Sequence, residues 1–156
     1  MAVTNTSGKT SADTFKKIIA DFPQYKFKPG PQQHWSPKTK TITYDASEGV
    51  FGLLHELAHA LLDHQTYKSD FELLQLESQA WHKAAEIGRK YGLDIDEDHI
   101  QDCLDTYRDW LHRRSACPAC GVHSLQTDTR TYECFNCGKT WQVSAGRFAR
   151  PYRRTT

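Results

Sequence analysis

The stretch that decides the fold is residues 50–64, VFGLLHELAHALLDH. Its apolar residues recur at the spacing of a buried helix, and His55, Glu56 and His59 stand among them. Side chains four positions apart lie about one turn apart on one face of a helix, so both imidazoles can reach a single metal ion. Two histidines and a carboxylate are costly to bury in an apolar helix. The pattern therefore favours a metal site over a solvent-facing helix surface.

A catalytic zinc site usually has three protein ligands and one open position, so a third ligand is expected. The metzincin spacing would require a histidine where this chain has Gln65. The next predicted helix offers Glu72, Glu77 and Glu86. Because Glu77 shares a helical stripe with Ala80, Trp81 and Ala84, it is predicted to face the interior. We predict Glu77 as the third ligand, with Glu72 and Glu86 as alternatives.

Two C-x-x-C pairs form the second motif, in CPACG at residues 117–121 and CFNCG at residues 134–138. Each pair can form a tight turn, and four thiolates complete a closed tetrahedral zinc site of the structural kind. The predicted ligands are Cys117, Cys120, Cys134 and Cys137. Segments 124–126, 130–133 and 140–143 are predicted as the strands of a zinc ribbon. The fifth cysteine, Cys103, is predicted to be a core thiol.

Composition indicates a globular, polar chain of 156 residues with a mean hydropathy of -0.71. No stretch approaches the roughly 18 consecutive apolar residues of a membrane helix, and residues 1–8 lack the apolar core of a signal peptide. Paired cysteines beside an odd fifth one favour metal binding in a reducing compartment. We therefore expect a cytoplasmic protein with no membrane partner.

The middle and the last part of the chain have net charges of opposite sign. Residues 46–112 hold five basic and fourteen acidic side chains, a net charge of −9, whereas residues 113–156 hold eight and two, a net charge of +6. The last part includes RFARPYRR at residues 147–154, where aromatic side chains alternate with arginines. Such a tail can follow a phosphate backbone and stack on bases, so DNA or RNA is a candidate partner. A solvated tail is the alternative.

Periodicity and turn residues predict an α+β fold. Helices are predicted over residues 13–22, 50–62 and 69–91, a strand over 25–28, and a hairpin over 34–44. Asp45 or Ser47 is the predicted cap of the second helix, and Asp96 is the predicted cap of a fourth. We predict four segments: a disordered N terminus over 1–12, a metal-binding catalytic domain over 13–114, a zinc ribbon over 115–144 and a basic tail over 145–156.

A family resemblance rests on WSP at residues 35–37, TITYD at 41–45, HELAHALLDH at 55–64 and ESQAW at 77–81. Together they resemble the ImmA/IrrE family of zinc metallopeptidases over about residues 13–112. The resemblance implies a minimal zincin, in which a short sheet packs on the motif helix and the next helix carries the third ligand. Glu77 and Ala80 match the family's pattern, whereas Trp81 stands where asparagine is usual. SprT-like proteases are a second resemblance, but their third ligand is typically a histidine.

These observations predict a gluzincin-like zinc endopeptidase with one catalytic and one structural zinc ion, in which Glu56 is the general base. By resemblance, its substrate is a regulatory or DNA-associated protein, and the ribbon recruits substrate or nucleic acid. One alternative is a non-catalytic nucleic-acid-binding or adaptor protein on a zincin scaffold. The other is a SprT-like DNA–protein crosslink protease.

Two further expectations concern details of this domain. An oxyanion donor is needed, and Tyr44, His64 and Tyr67 are candidates, although His64 is rather expected to be a surface histidine that closes the helix. Residues 1–114 contain every group that the zinc chemistry needs. We therefore expect a folded core to remain when residues 115–156 are deleted.

Overall fold

The computed structural model describes residues 11–144. Residues 1–10 and 145–156, with most of the predicted disordered N terminus and the whole predicted basic tail, lie outside the described residues. Within that range the chain is mixed α+β, with four α-helices and two small sheets, as the sequence predicts. None of the described helices has the length and apolar character needed to span a membrane.

Helices and strands lie close to their predicted positions. The helices are α1 (Ser11–Asp21), α2 (Val50–Leu61), α3 (Asp70–Arg89) and α4 (Glu97–Ser115). The strands are β1 (Lys26–Pro29), β2 (His34–Ser36), β3 (Thr41–Tyr44), β4 (Leu125–Gln126), β5 (Thr131–Glu133) and β6 (Thr140–Gln142).

Two helix starts show how local capping acts. Asp96 caps α4 as predicted, because its Oδ1 accepts a hydrogen bond from the backbone N–H of His99 at 2.8 Å. Asp45, a candidate cap for α2, instead caps a separate 3-10 turn at Ala46–Glu48. Gly49, with φ of 91°, then leads the chain into α2.

One compact unit consists of the chain up to His64 together with Ala80–Ile95, which includes the second half of α3. Its sheet has the order β1-β3-β2, with β1 parallel and β2 antiparallel to β3, so the predicted hairpin is confirmed. Ile42 in the central strand pairs with Phe27 on one side and Trp35 on the other. Helix α2 packs on β2 and β3, and Ile42, Trp35 and most of the apolar residues of α2 are buried.

The other unit consists of Gln65–Gln79, which includes the first half of α3, and of the chain from Asp96 onward. Its sheet is antiparallel in the order β4-β5-β6. Tyr132 and Trp141 are cross-strand partners whose rings stack with centroids 5.4 Å apart. The predicted domain boundary between residues 114 and 115 stays a prediction. Backbone contacts group this sheet and α4 in the same compact unit.

A buried ion pair joins the elements of this second unit. Asp70, the first residue of α3, lies 2.8 Å from the Nε atom of Arg114 near the end of α4, and their side chains are 2% and 9% exposed. The hydroxyl of Tyr132 in β5 donates to the same carboxylate at 2.7 Å. The Asp70 backbone N–H donates to the side chain of Gln126 in β4. One carboxylate therefore connects α3, α4 and the sheet.

Arg114 makes further contacts with Trp110, Ser144 and Trp141. Its guanidinium lies over the ring of Trp110 at 4.5 Å and donates to the carbonyl oxygen of Ser144 at 2.7 Å. The indole N–H of Trp141 donates to the backbone carbonyl of Arg114 at 2.9 Å. The core that folds without residues 115–156 stays a prediction. The deletion would remove Tyr132 and Ser144 from the buried charge pair and Trp141 from the backbone carbonyl of Arg114.

We expect Asp70→Asn to destabilise the protein by about 3–5 kcal/mol, because it leaves the buried Arg114 guanidinium without a countercharge. Tyr132→Phe removes one hydrogen bond to a carboxylate and is expected to cost about 1.5–3 kcal/mol. Urea unfolding of the full chain measures both free energies.

Asp105→Asn is the matched control for this prediction, because Asp105 pairs with Arg108 on the exposed face of α4. We expect a change of less than about 1 kcal/mol there. Equal losses in Asp70→Asn and Asp105→Asn would contradict the role given to the buried pair.

Candidate metal centres

Helix α2 brings His55 and His59 together as the spacing predicts. Their Nε2 atoms are 3.1 Å apart, and their ring planes are nearly perpendicular at 88°. Two nitrogens bound to one tetrahedral zinc ion at 2.0–2.1 Å would be about 3.3 Å apart. The two imidazoles are therefore arranged as ligands of one ion.

Glu77 completes this group. His55, His59 and Glu77 each offer one ligand atom, and these atoms all lie within 4.8 Å of one another. All three residues are buried, with exposed fractions of 8%, 0% and 1%. Two imidazoles and a carboxylate match the donor set of catalytic zinc sites that keep a fourth position open. We refer to these three residues as the histidine–glutamate site, and they can hold a metal ion.

The two alternative glutamates have other surroundings. Glu72 lies in the first turn of α3, where its Oε2 accepts a hydrogen bond from the backbone N–H of Lys68 at 2.6 Å. Glu86 is exposed and forms an ion pair with Lys83 at 2.9 Å. Among the three glutamates that the sequence offered, it is Glu77 that the structure places with the histidines.

Glu56, the predicted general base, is buried at 5% exposure beside His55 in α2. Trp81, one turn after Glu77 on α3, stacks on the His55 ring with centroids 4.2 Å apart. Trp81 lies on the stripe that is predicted to face the interior together with Glu77, because residues four positions apart share one face of a helix. Its contact with the His55 ring is not part of that prediction.

The three candidate oxyanion donors have different surroundings in the structure. Tyr44 is half-buried and stacks on Phe15 with ring centroids 5.6 Å apart, and Tyr67 is also half-buried. The expectation that His64 lies on the surface is wrong, because the residue is 6% exposed and its Nδ1 lies 2.8 Å from Nδ1 of His59. The assignment of an oxyanion donor stays a prediction.

The four paired cysteines form a second group, which we call the cysteine site. Their Sγ atoms are 3.6 Å apart for Cys117 and Cys137 and 3.5 Å apart for Cys120 and Cys134. Two sulfurs at 2.3 Å from a tetrahedral zinc ion would be about 3.8 Å apart. Cys117 and Cys134 are buried, whereas Cys120 and Cys137 are exposed. Four donors at these distances can hold a metal ion in a closed site.

Two tight turns aim backbone amides at the sulfur atoms. The N–H of Ala119 faces the Cys117 Sγ at 3.4 Å, and the N–H of Cys137 faces the Cys134 Sγ at 3.5 Å. Each turn ends in a glycine of positive φ, 76° at Gly121 and 75° at Gly138, a conformation that a side chain would strain.

These amides favour the thiolate form, which is the form that binds metal. The backbone N–H of Cys137, with further help from Asn136, lowers the pKa of Cys134 to about 6. For Cys117, burial opposes ionisation, but hydrogen bonds from the amides of Cys120 and Ala119 outweigh it and lower its pKa. For Cys137, the backbone N–H of Lys139 lowers the pKa, but the hydrogen bond with Cys117 and burial outweigh it and raise the pKa to about 11. The turns therefore favour the thiolate form at Cys117 and Cys134.

Cys103 has a different environment. It is half-buried on α4, with Sγ 3.6 Å from Nε2 of His99, and burial raises the pKa of its thiol. A thiol held in the protonated form agrees with the predicted role outside the metal sites.

Comparisons with known proteins give no relative: no family model, no curated protein and no solved structure matches this chain.

We expect two metal ions per chain in protein purified without chelator, measured by elemental analysis. Glu77→Gln is expected to empty the histidine–glutamate site while the cysteine site stays filled, because the two sites share no ligand. Glu86→Gln is the control, since it removes an exposed carboxylate from the same helix. Equal metal contents in Glu77→Gln and the unchanged protein would rule out Glu77 as a ligand.

Proposed function

We propose that the chain is a zinc-dependent endopeptidase whose active site is built from His55, His59, Glu77 and Glu56. The observation that carries this proposal is the burial of the first three as a single group of metal ligands, with donor atoms within 4.8 Å of one another. The sheet packed on α2, with the third ligand on the next helix, supports a zincin core of the ImmA/IrrE type.

The division of labour follows from the donor types. His55 and His59 bind as neutral imidazoles, and the Glu77 carboxylate offsets one of the two positive charges of a zinc ion. A zinc ion held there supplies Lewis-acid polarisation of a peptide carbonyl and lowers the pKa of water toward about 7. Trp81 fixes the plane of the His55 ring by stacking against it.

Glu56 has the role of proton carrier in this proposal. It neighbours the ligand His55 on the same helix and is itself buried. A carboxylate in this position accepts a proton from the attacking water and passes it to the leaving amine. Glu56 also favours an enzyme over a non-catalytic adaptor on the same scaffold, because an adaptor does not require a buried general base beside the metal ligands.

The cysteine site is proposed to hold a structural zinc ion that stabilises the second sheet, because so small a sheet has little core of its own. This part is also proposed to recruit the substrate or nucleic acid. A regulatory or DNA-associated protein is the proposed substrate class. A cytoplasmic location is proposed because a reducing compartment keeps the four cysteines available for zinc.

Glu56→Gln tests the mechanism. We expect the variant to retain both metal ions, because Glu56 is not a ligand, and to lose activity about 10²–10⁴-fold, because the general base is gone. The measurement is cleavage of a library of unstructured peptides, read by mass spectrometry, together with zinc content. Glu86→Gln is the matched control and is expected to cleave like the unchanged protein.

Two results would contradict the proposal. A Glu56→Gln variant with full activity excludes Glu56 as the base. A zinc-loaded unchanged protein that cleaves no peptide or protein substrate favours the adaptor alternative.

A further inference from the structure

The turn that ends α2 folds His64 back against His59. The backbone N–H of His64 donates to the carbonyl of His59 at 3.0 Å, and that of Asp63 donates to the carbonyl of Ala60 at 3.1 Å. Asp63 has φ of 52°, in the left-handed region. Two such bonds around a left-handed residue form a Schellman motif, which brings the following residue onto the third-last residue of the helix. Since α2 ends at Leu61, that third-last residue is His59.

Side chains from β2 and the loop before β1 fix this turn. The indole N–H of Trp35 donates to the carbonyl oxygen of His64 at 3.0 Å, and this bond is buried. Tyr25 packs edge-on against Trp35 with ring centroids 5.5 Å apart, and its hydroxyl donates to the carbonyl of Ala60 at 3.2 Å. The backbone of His64 is therefore held independently of its side chain.

The His59 ring has two occupied edges. Its Nε2 lies 3.1 Å from Nε2 of His55 in the histidine–glutamate site, and its Nδ1 lies 2.8 Å from Nδ1 of His64. Among the described residues, the group of metal-type ligands at this place contains His55, His59 and Glu77. His64 thus faces the edge of His59 that points away from His55.

The position of the proton on each imidazole decides which nitrogen donates in the hydrogen bond between His59 and His64. An imidazole that binds a metal through Nε2 carries its single proton on Nδ1. Nδ1 of His59 is therefore the donor, and Nδ1 of His64 is the acceptor. It follows that the proton of His64 is on its Nε2.

We propose that His64 is a positioning residue, which accepts a hydrogen bond from His59 and thereby fixes the ring orientation and tautomer that His59 needs to bind metal. This inference depends on the metal site of the proposed function. It does not require peptidase activity. Partners of this kind, one step removed from the metal, change metal affinity about 10–100-fold when they are lost.

The test compares two substitutions in the full chain. His64→Leu removes the acceptor, whereas His64→Asn keeps an acceptor oxygen close to the position of Nδ1. We expect His64→Leu to weaken zinc binding at the histidine–glutamate site about 10–100-fold in chelator competition, and His64→Asn to restore most of this loss. His82→Leu, a change of an exposed histidine on α3, is the control and is expected to bind zinc like the unchanged protein.

A second readout uses the unchanged protein and therefore does not depend on how the variants fold. In zinc-loaded protein labelled with ¹⁵N-histidine, we expect a proton on Nδ1 of His59, none on Nδ1 of His64, and a scalar coupling between these two nitrogens across the hydrogen bond.

The outcomes are distinguishable. Equal zinc affinity in His64→Leu and the unchanged protein, or a proton on Nδ1 of His64, overturns the positioning role while the metal site stands. An unchanged protein whose cysteine site fills while the histidine–glutamate site stays empty overturns the proposed function and this inference with it.

Discussion

The second unit depends on the ion pair between Asp70 and Arg114, two side chains with almost no access to solvent. Removing two charges from water costs several kcal/mol for each ion, and the pair is stable only when its remaining donors and acceptors are satisfied. Here Tyr132 supplies the second donor to the carboxylate, and Ser144 supplies an acceptor to the guanidinium. The start of α3, the end of α4 and the sheet must therefore be in place together. Glu77 lies two turns along α3 from this anchor, so one helix carries both residues.

The two metal sites differ in the number of donors and in the elements that present them. Four thiolates on tight turns saturate a tetrahedral ion, which leaves no position for a substrate. Two imidazoles and a carboxylate on long helices leave one position open. The helices suit the proposed active site, which has to hold its geometry while a substrate is exchanged. The turns suit a site whose binding energy contributes to folding.

Features that act over a few residues could be predicted from the sequence. The histidine pair on α2, the cap of α4, the hairpin and the cysteine turns each follow from spacing or from one side chain. Glu77 could be chosen over Glu72 and Glu86 because it shares its stripe on α3 with Ala80, Trp81 and Ala84, and the structure buries all three.

Other features arise from tertiary structure. Asp70 and Arg114 are 44 positions apart, and no periodicity connects them. The burial of His64 depends on a left-handed aspartate, where helix ends of this type usually have glycine. Neither predicted cap, Asp45 or Ser47, begins α2, because Asp45 has the same sequence signature before a 3-10 turn as before an α-helix and that turn contains Ser47.

The aspartate at position 63 has a consequence for the drift of this sequence. A left-handed backbone costs a residue other than glycine roughly 1–2 kcal/mol, so drift toward glycine would be favoured by conformation alone. Burial first, and then the Asp63 carboxylate, raise the pKa of Tyr25, but this phenol, which donates to the carbonyl of Ala60, is protonated at neutral pH with or without that charge. Sequences that share this helix end are therefore expected to have aspartate or glycine at position 63 and to keep tyrosine at position 25.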